Sequence, residues 1–205
     1  MINKLLLATG NSHKVFEIQA LFGDSLSVIS LRDLGYSGDI PENQPTLEGN
    51  AREKAEWVFQ RYGLPCLADD TGLEVAALGG RPGVYSARYA GETDKAFQSG
   101  ANIAKLLKEM SGITDRTARF RTVLAYADPQ GVIRFFEGTV CGKIAETSGG
   151  SAGFGYDPVF IPEGFTQSFA EMTPEEKNEI SHRGRAIQAF AEWLQLFSQA
   201  GNRNI

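Results

Sequence analysis

The sequence predicts an α/β fold built on a mixed β-sheet, and three observations point there. The apolar run Lys4 to Ala8 leads into a Gly-bearing loop and then into apolar residues at helical spacing, the strand-loop-helix order of an α/β unit. LSVISL (Leu26 to Leu31) reads as a second strand, followed by a loop, a helical stripe and a third strand, LPCLADD (Leu64 to Asp70). Arg119 to Ala127 and Val132 to Glu137 alternate apolar with polar residues on either side of Asp128-Pro129-Gln130-Gly131, a hairpin pattern that makes the sheet mixed.

Element by element, the first strand is continuously apolar, as a strand covered on both faces must be. Val15, Ile18, Leu21 and Phe22 mark the first helix, with Gly23 as its expected C-terminal cap. A polar loop runs from Asp33 to Pro45, and Leu47, Ala51, Ala55, Val58 and Tyr62 form one face of a helix that Gly63 ends. LPCLADD is expected to turn at Thr71-Gly72, with GLEVAAL able to pair back on it. Gly79 to Gly83 is a loop, and Ile103, Leu106, Leu107 and Met110 mark a helix with Thr93 as its expected cap. Thr173, Pro174 and Glu176 form a capping box with proline at the first helical position. Ile187, Phe190, Leu194 and Phe197 give the last helix its buried face.

With 205 residues, 42% hydrophobic and 22% charged, the chain has the composition of an ordinary globular protein able to bury a core. A net charge of -5, with 20 Lys and Arg scattered along the chain, argues against a nucleic-acid partner. Cys66 and Cys141 match no metal-ligand spacing and read as reduced thiols of a cytoplasmic protein. No segment approaches the roughly 18 apolar residues of a membrane span.

Four segments could carry chemistry. Thr9-Gly10-Asn11-Ser12-His13-Lys14 joins a buried strand to a helix, where backbone N–H groups and the positive helix end favour a phosphate; a plain Gly-Asn turn is the alternative. Asp69 and Asp70 are costly to bury without a cation, which points to a metal, Mg²⁺ by preference, and to a base for attacking water; an Asp-initiated turn is the alternative. Strand alternation turns the two carboxylates different ways, so only one need react.

Ser148 to Pro158 is dense in glycine, and Phe154 and Tyr156 offer ring faces to a planar base, or else serve a loop and the core. Glu175 to Gly184 carries Lys177, His182 and Arg183, and a solvated helix face is its bland reading. In a straight helix Lys177 and His182 would lie about 140° apart, so a shared ligand requires a break, which Ser181 is placed to make.

In this order, TGNSHK, IPEN, ADDTG, LGGRPGVYSARYAG, SGGSAGFGYDP and EEKNEISHRG resemble the inosine triphosphate pyrophosphatase family of house-cleaning enzymes, with matching segments from Thr9 to Gly184. The resemblance implies a long mixed sheet flanked by helices, two lobes around a central nucleotide-binding cleft, and a homodimer. It implies Mg²⁺-dependent hydrolysis of ITP, dITP or XTP to the monophosphate and pyrophosphate, by attack of water at the α-phosphorus. Residues 1–198 would form the one domain and 199–205 a polar tail.

Carried over by residue, Thr9, Gly10, Asn11, Ser12, His13 and Lys14 would hold the triphosphate, with Ser12 and His13 also opening the helix. Asp70 would be general base and metal ligand, Glu42 the second metal ligand, and Thr71 a nucleotide contact. Phe154, Gly155, Tyr156, Asp157, Lys177, His182 and Arg183 would form a base and sugar pocket, whose donors suit a 6-oxopurine. Asn43-Gln44-Pro45 departs from the usual acid- and glycine-rich stretch after Glu42, which leaves Asp69 and Glu48 as other ligands. A related pyrophosphatase for other modified triphosphates, and a nucleotide-binding regulator without turnover, are the competing readings.

Overall fold

A computed structural model of the chain describes residues 4–22, 26–91 and 97–201. The expected caps Gly23 and Thr93 lie outside the described residues, as do the side chains of His13, Leu21 and Phe197. The described strands are β1 (Lys4–Leu7), β2 (Ser27–Ser30), β3 (Cys66–Val75), β4 (Pro82–Gly83), β5 (Thr117–Ala127), β6 (Ile133–Ile144) and β7 (Phe160–Pro162). The helices are α1 (Ser12–Phe22), α2 (Leu47–Tyr62), α3 (Gln98–Glu109), α4 (Pro174–Ile180) and α5 (His182–Gly201).

The strands form one mixed sheet in the order β2-β1-β3-β5-β6-β7, with β4 paired to β3. β1 is parallel to both β2 and β3, and Leu7 is level with Ser30 on one side and Leu67 on the other. Leu5, Leu6 and Leu7 are all buried, so β1 is covered on both faces. The 128–132 connection between the neighbouring β5 and β6 is too short for the crossover a parallel pair needs, so these strands form the expected hairpin.

The turn expected at Thr71-Gly72 is absent: Cys66 to Val75 is one continuous strand. Gly72 does not take the left-handed conformation such a turn would use. The far half of β3 finds its partner in β4 instead, Leu73 opposite Gly83 and Glu74 opposite Pro82, and sheet pairing overrides the local turn chemistry.

Helix ends follow local chemistry. The Thr46 side chain accepts from Gly49 N–H, and Gly63 closes α2 in the left-handed conformation, φ 62°. Thr173 and Glu176 form the full capping box of α4, and Ser181, extended at φ -70° and ψ 156°, separates α4 from α5 where the break was expected.

The chain divides into two compact units, Met1–Asp70 with Thr122–Gly138 and Arg183–Ile205, and Thr71–Arg121 with Thr139–His182. The first is built around Leu5, Leu7, Ile18, Leu67, Tyr126 and Phe190, the second around Leu73, Leu106, Phe120, Tyr156, Phe160 and Phe169.

Candidate active site

In the first unit, the chain leaves β1 at Ala8 and enters α1 within four residues. Asn11 caps the helix: its side-chain oxygen accepts from Lys14 N–H at 3.4 Å, and its own N–H donates to Thr9 Oγ1 at 3.1 Å. The first amides of α1 are the ones a helix leaves without internal partners. Gly10, Asn11 and Ser12 are exposed, and the Lys14 ammonium reaches Asp69, whose carboxylate it pairs with and whose carbonyl accepts at 3.3 Å.

Asp69 and Asp70 point to different partners, as alternation along a strand requires. Asp69 also accepts from Arg183 Nε at 2.9 Å, and the same guanidinium pairs with Glu17 of α1. The Asp70 carboxylate faces α2, where Lys54 Nζ donates to Asp70 Oδ1 at 2.6 Å, to Glu42 Oε1 at 2.7 Å and to the Asp69 carbonyl at 2.7 Å. Asn50, one turn earlier, donates to Asp70 Oδ2 at 3.4 Å and accepts from Gln44 N–H at 2.8 Å. The atypical loop after Glu42 is tied to α2 as well, since Glu53 accepts from Asn43 N–H at 2.7 Å. Glu48 stands in the first turn of α2.

These pairings separate the two aspartates electrostatically. Burial alone would lift Asp69, but Arg183 and Lys14 outweigh it and hold the carboxyl far below the usual carboxylate range. For Asp70 burial prevails over the attraction of Lys54 and Lys14, and its pKa is raised. Burial also works against the Lys54 charge, yet the two carboxylates it faces keep it protonated and raise its pKa. Asp69 is thus a fixed negative charge, and Asp70 a carboxylate with more appetite for a proton.

In the second unit, Thr71 follows Asp70 in β3 and is half-buried. Asp157 is buried and accepts at one oxygen from Lys177 Nζ at 2.9 Å and from Phe154 N–H at 2.7 Å. Lys177 Nζ lies 4.9 Å from the centre of the Phe154 ring, within cation–π range. Gly153 and Gly150 are forced by close approach, because a Cβ on either would collide, with the Asp157 carboxylate and with the Ala170 carbonyl respectively; both also have positive φ.

Gly155 has φ 63° and open space around it. Tyr156 is buried in the core of this unit, its hydroxyl donating to the Ser86 carbonyl at 3.0 Å, so protein covers the ring that looked available to a base. His182 is also buried, stacked on Phe120 at 4.5 Å between centroids and 14° between planes.

The structure therefore gathers Thr9 to Lys14, Glu42, Asp70 and Arg183 in the first unit, and Thr71, Phe154 to Asp157, Lys177 and His182 in the second. The expected donor trio is divided in its partners: Lys177 serves Asp157, His182 stacks on Phe120, and Arg183 binds Asp69 and Glu17. Sequence reasoning missed Asn50, Lys54 and Glu17. The signal for the first two was there, since both fall on the buried stripe of α2 with Leu47, Ala51, Ala55 and Val58.

Comparison with known proteins bears on the family and the fold. Residues 5–193 match the model of the Ham1 family. A Porphyromonas gingivalis protein named dITP/XTP pyrophosphatase is 53% identical over 194 residues, covering 94% of this chain and 98% of the relative. A Flavobacterium johnsoniae protein of the same name is 48% identical, over 93% and 97%. The structure of the Staphylococcus aureus Ham1 protein superimposes with a TM-score of 0.83 at 38% identity, covering 94% of this chain and 98% of that one. A HAM1 protein structure from Coxiella burnetii gives 0.84 at 36% identity, over 95% and 99%. With the family match spanning nearly every described element, from β1 into α5, the chain belongs to the Ham1 family.

Proposed function

We propose that this protein hydrolyses the non-standard purine nucleotides ITP, dITP and XTP to the nucleoside monophosphate and pyrophosphate. The observation that carries the proposal is the buried Asp70 carboxylate, its pKa raised, in the same unit as the Thr9 to Lys14 segment, whose Gly10, Asn11 and Ser12 are exposed. Relatives sharing about half of its residues carry the name of that activity.

The residues present fit Mg²⁺. Glu42 Oε1 and Asp70 Oδ1 both lie within 2.7 Å of the Lys54 ammonium, so two hard oxygen donors already converge on one cationic centre. Among the described residues no group of three or more His, Cys, Asp or Glu side chains is arranged to hold a metal, so waters and phosphate oxygens would have to complete the shell of the ion. Glu42 and Asp70 would hold it, and when bound it would neutralise charge developing on the phosphates.

The loop amides, the Thr9 hydroxyl and Lys14 orient the triphosphate. Asp70 accepts the proton of a water whose oxygen bonds to the α-phosphorus, and the bond to the bridging oxygen of the leaving pyrophosphate breaks. Lys54 then has phosphate oxygens as well as carboxylates to serve. Lys177, held by Asp157 beside the Phe154 ring, donates to the 6-oxo group, where adenine would present an amino donor and leave Lys177 unsatisfied, at about 1–3 kcal/mol.

The resemblance further supports a homodimer, while the two isolated cysteines and the net charge of -5 support a cytoplasmic protein without a nucleic-acid partner; among the described residues no helix is long and apolar enough to cross a membrane.

Asp70→Asn tests the proposal. Retained ITP binding with turnover reduced at least a hundredfold is expected, and unchanged pyrophosphate release would overturn the role of Asp70. Release from ITP, XTP, dTTP, UTP, GTP and ATP, with and without Mg²⁺, tests selectivity and the metal. Equal rates on all six would defeat the 6-oxopurine reading.

A further inference from the structure

Beside the phosphate loop the first unit holds a cavity of about 360 Å³, lined among others by Thr9, Gly10, Ser12, Val15, Val28 and Arg32. Sheet register explains the meeting. Ser30 of β2, Leu7 of β1 and Leu67 of β3 are level, and the strands run parallel. Two residues further on, each chain segment reaches Arg32, Thr9 and Asp69 respectively. A line along the sheet from the backbone of Asp69 across Thr9 therefore leads to that of Arg32, about 10 Å over two strand spacings. The carboxyl ends of neighbouring parallel strands are where α/β sheets place ligands.

Charge supports the same reading. Lys14, Lys54 and Arg183 are engaged by four carboxylates, those of Asp69, Asp70, Glu42 and Glu17. A polyphosphate entering there meets cations already balanced. No ion pair or side-chain hydrogen bond to another described residue ties the Arg32 guanidinium. The adjacent Asp33 carboxylate is turned to Ser30, accepting from its N–H at 2.7 Å and its hydroxyl at 2.8 Å.

We propose that Arg32 binds the terminal phosphates of the substrate in this cavity and retains the pyrophosphate that leaves. The proposal rests on the reading of Thr9 to Lys14 as the phosphate loop. A guanidinium offers a forked pair of donors to two phosphate oxygens, and the bond broken in the reaction lies between the groups held by Arg32 and those beside Asp70.

Product inhibition by inorganic pyrophosphate and by IMP tests it in the wild type, Arg32→Ala, Arg32→Lys and Lys14→Ala. In Arg32→Ala the inhibition constant for pyrophosphate and the KM for ITP should rise about tenfold, Arg32→Lys should recover part of the loss, and inhibition by IMP, which lacks the terminal phosphates, should stay within about twofold. Weakened pyrophosphate binding in Lys14→Ala but not in Arg32→Ala would overturn the role of Arg32 and leave the loop standing. No effect in either variant would overturn the loop together with it. Equal weakening of pyrophosphate and IMP in Arg32→Ala would also refute the proposal, because it would mark a general disturbance of the site.

Discussion

Lys54 Nζ lies 2.6 Å from Asp70 Oδ1, and both residues are buried. With Glu42 at 2.7 Å, the ammonium stands between two carboxylates that would repel each other without it. Breaking a buried pair by removing one partner is strongly destabilising, so Lys54→Met should lower the free energy of unfolding by about 3–5 kcal/mol in urea titration. Millimolar Mg²⁺ should return part of that loss, and should stabilise the variant more than the wild type, by binding the folded state alone.

The acid limb of stability should depend on Asp69. Its folded-state pKa lies well below the usual value, held there by Arg183 and Lys14 against burial. A depressed carboxyl contributes stability that is complete above the unfolded pKa, about 4, and is lost progressively as pH falls below it. Unfolding free energies measured between about pH 7 and pH 3 should therefore fall more steeply in the wild type than in Asp69→Asn, which should be the less stable protein at pH 7.

Asp157 accepts from Lys177 Nζ and fixes where that ammonium stands. Asp157→Asn leaves the 2.9 Å contact without its charge, so the KM for ITP should rise about tenfold while kcat changes less than about threefold. The preference for ITP over ATP should shrink in parallel. A fall in kcat at constant KM would assign Asp157 to the chemistry instead.

The two thiols should react very differently. Burial pushes the Cys66 thiol up to about 12, and its Sγ faces the Ala55 carbonyl at 3.4 Å, whereas Cys141 is exposed. Titration of the folded protein with a thiol reagent at about pH 8 should label one cysteine rapidly and the other only on unfolding, with mass spectrometry placing the rapid label on Cys141.

Features settled within a few residues were legible in the sequence. Gly63 ends α2, and the Thr173 capping box opens α4, because caps are made by neighbours in the chain. The break at Ser181 followed from asking how Lys177 and His182 could serve one ligand.

What depended on distant partners was less visible. Asp-Asp-Thr-Gly has the composition of a turn, yet it is extended inside a strand whose neighbours β1, β5 and β4 come from other parts of the chain. Lys54, a single lysine in a helix, resembles a solvated charge until Glu42 and Asp70 are seen around it. Tyr156, read as a ring for stacking, is a core residue because Ser86, seventy positions away in sequence, accepts its hydroxyl.

Asp69 meets Lys14 and Arg183 through its carboxylate, and Lys14 and Lys54 through its carbonyl. Sequence drift at this position is consequently epistatic. Asp69→Asn strands two cations, and Arg183→Met strands two carboxylates, but the pair made together removes a charge of each sign and should cost less than the sum of the single changes. Divergence here is expected to proceed by coupled replacements, so that what is permitted at residue 69 is decided at residue 183.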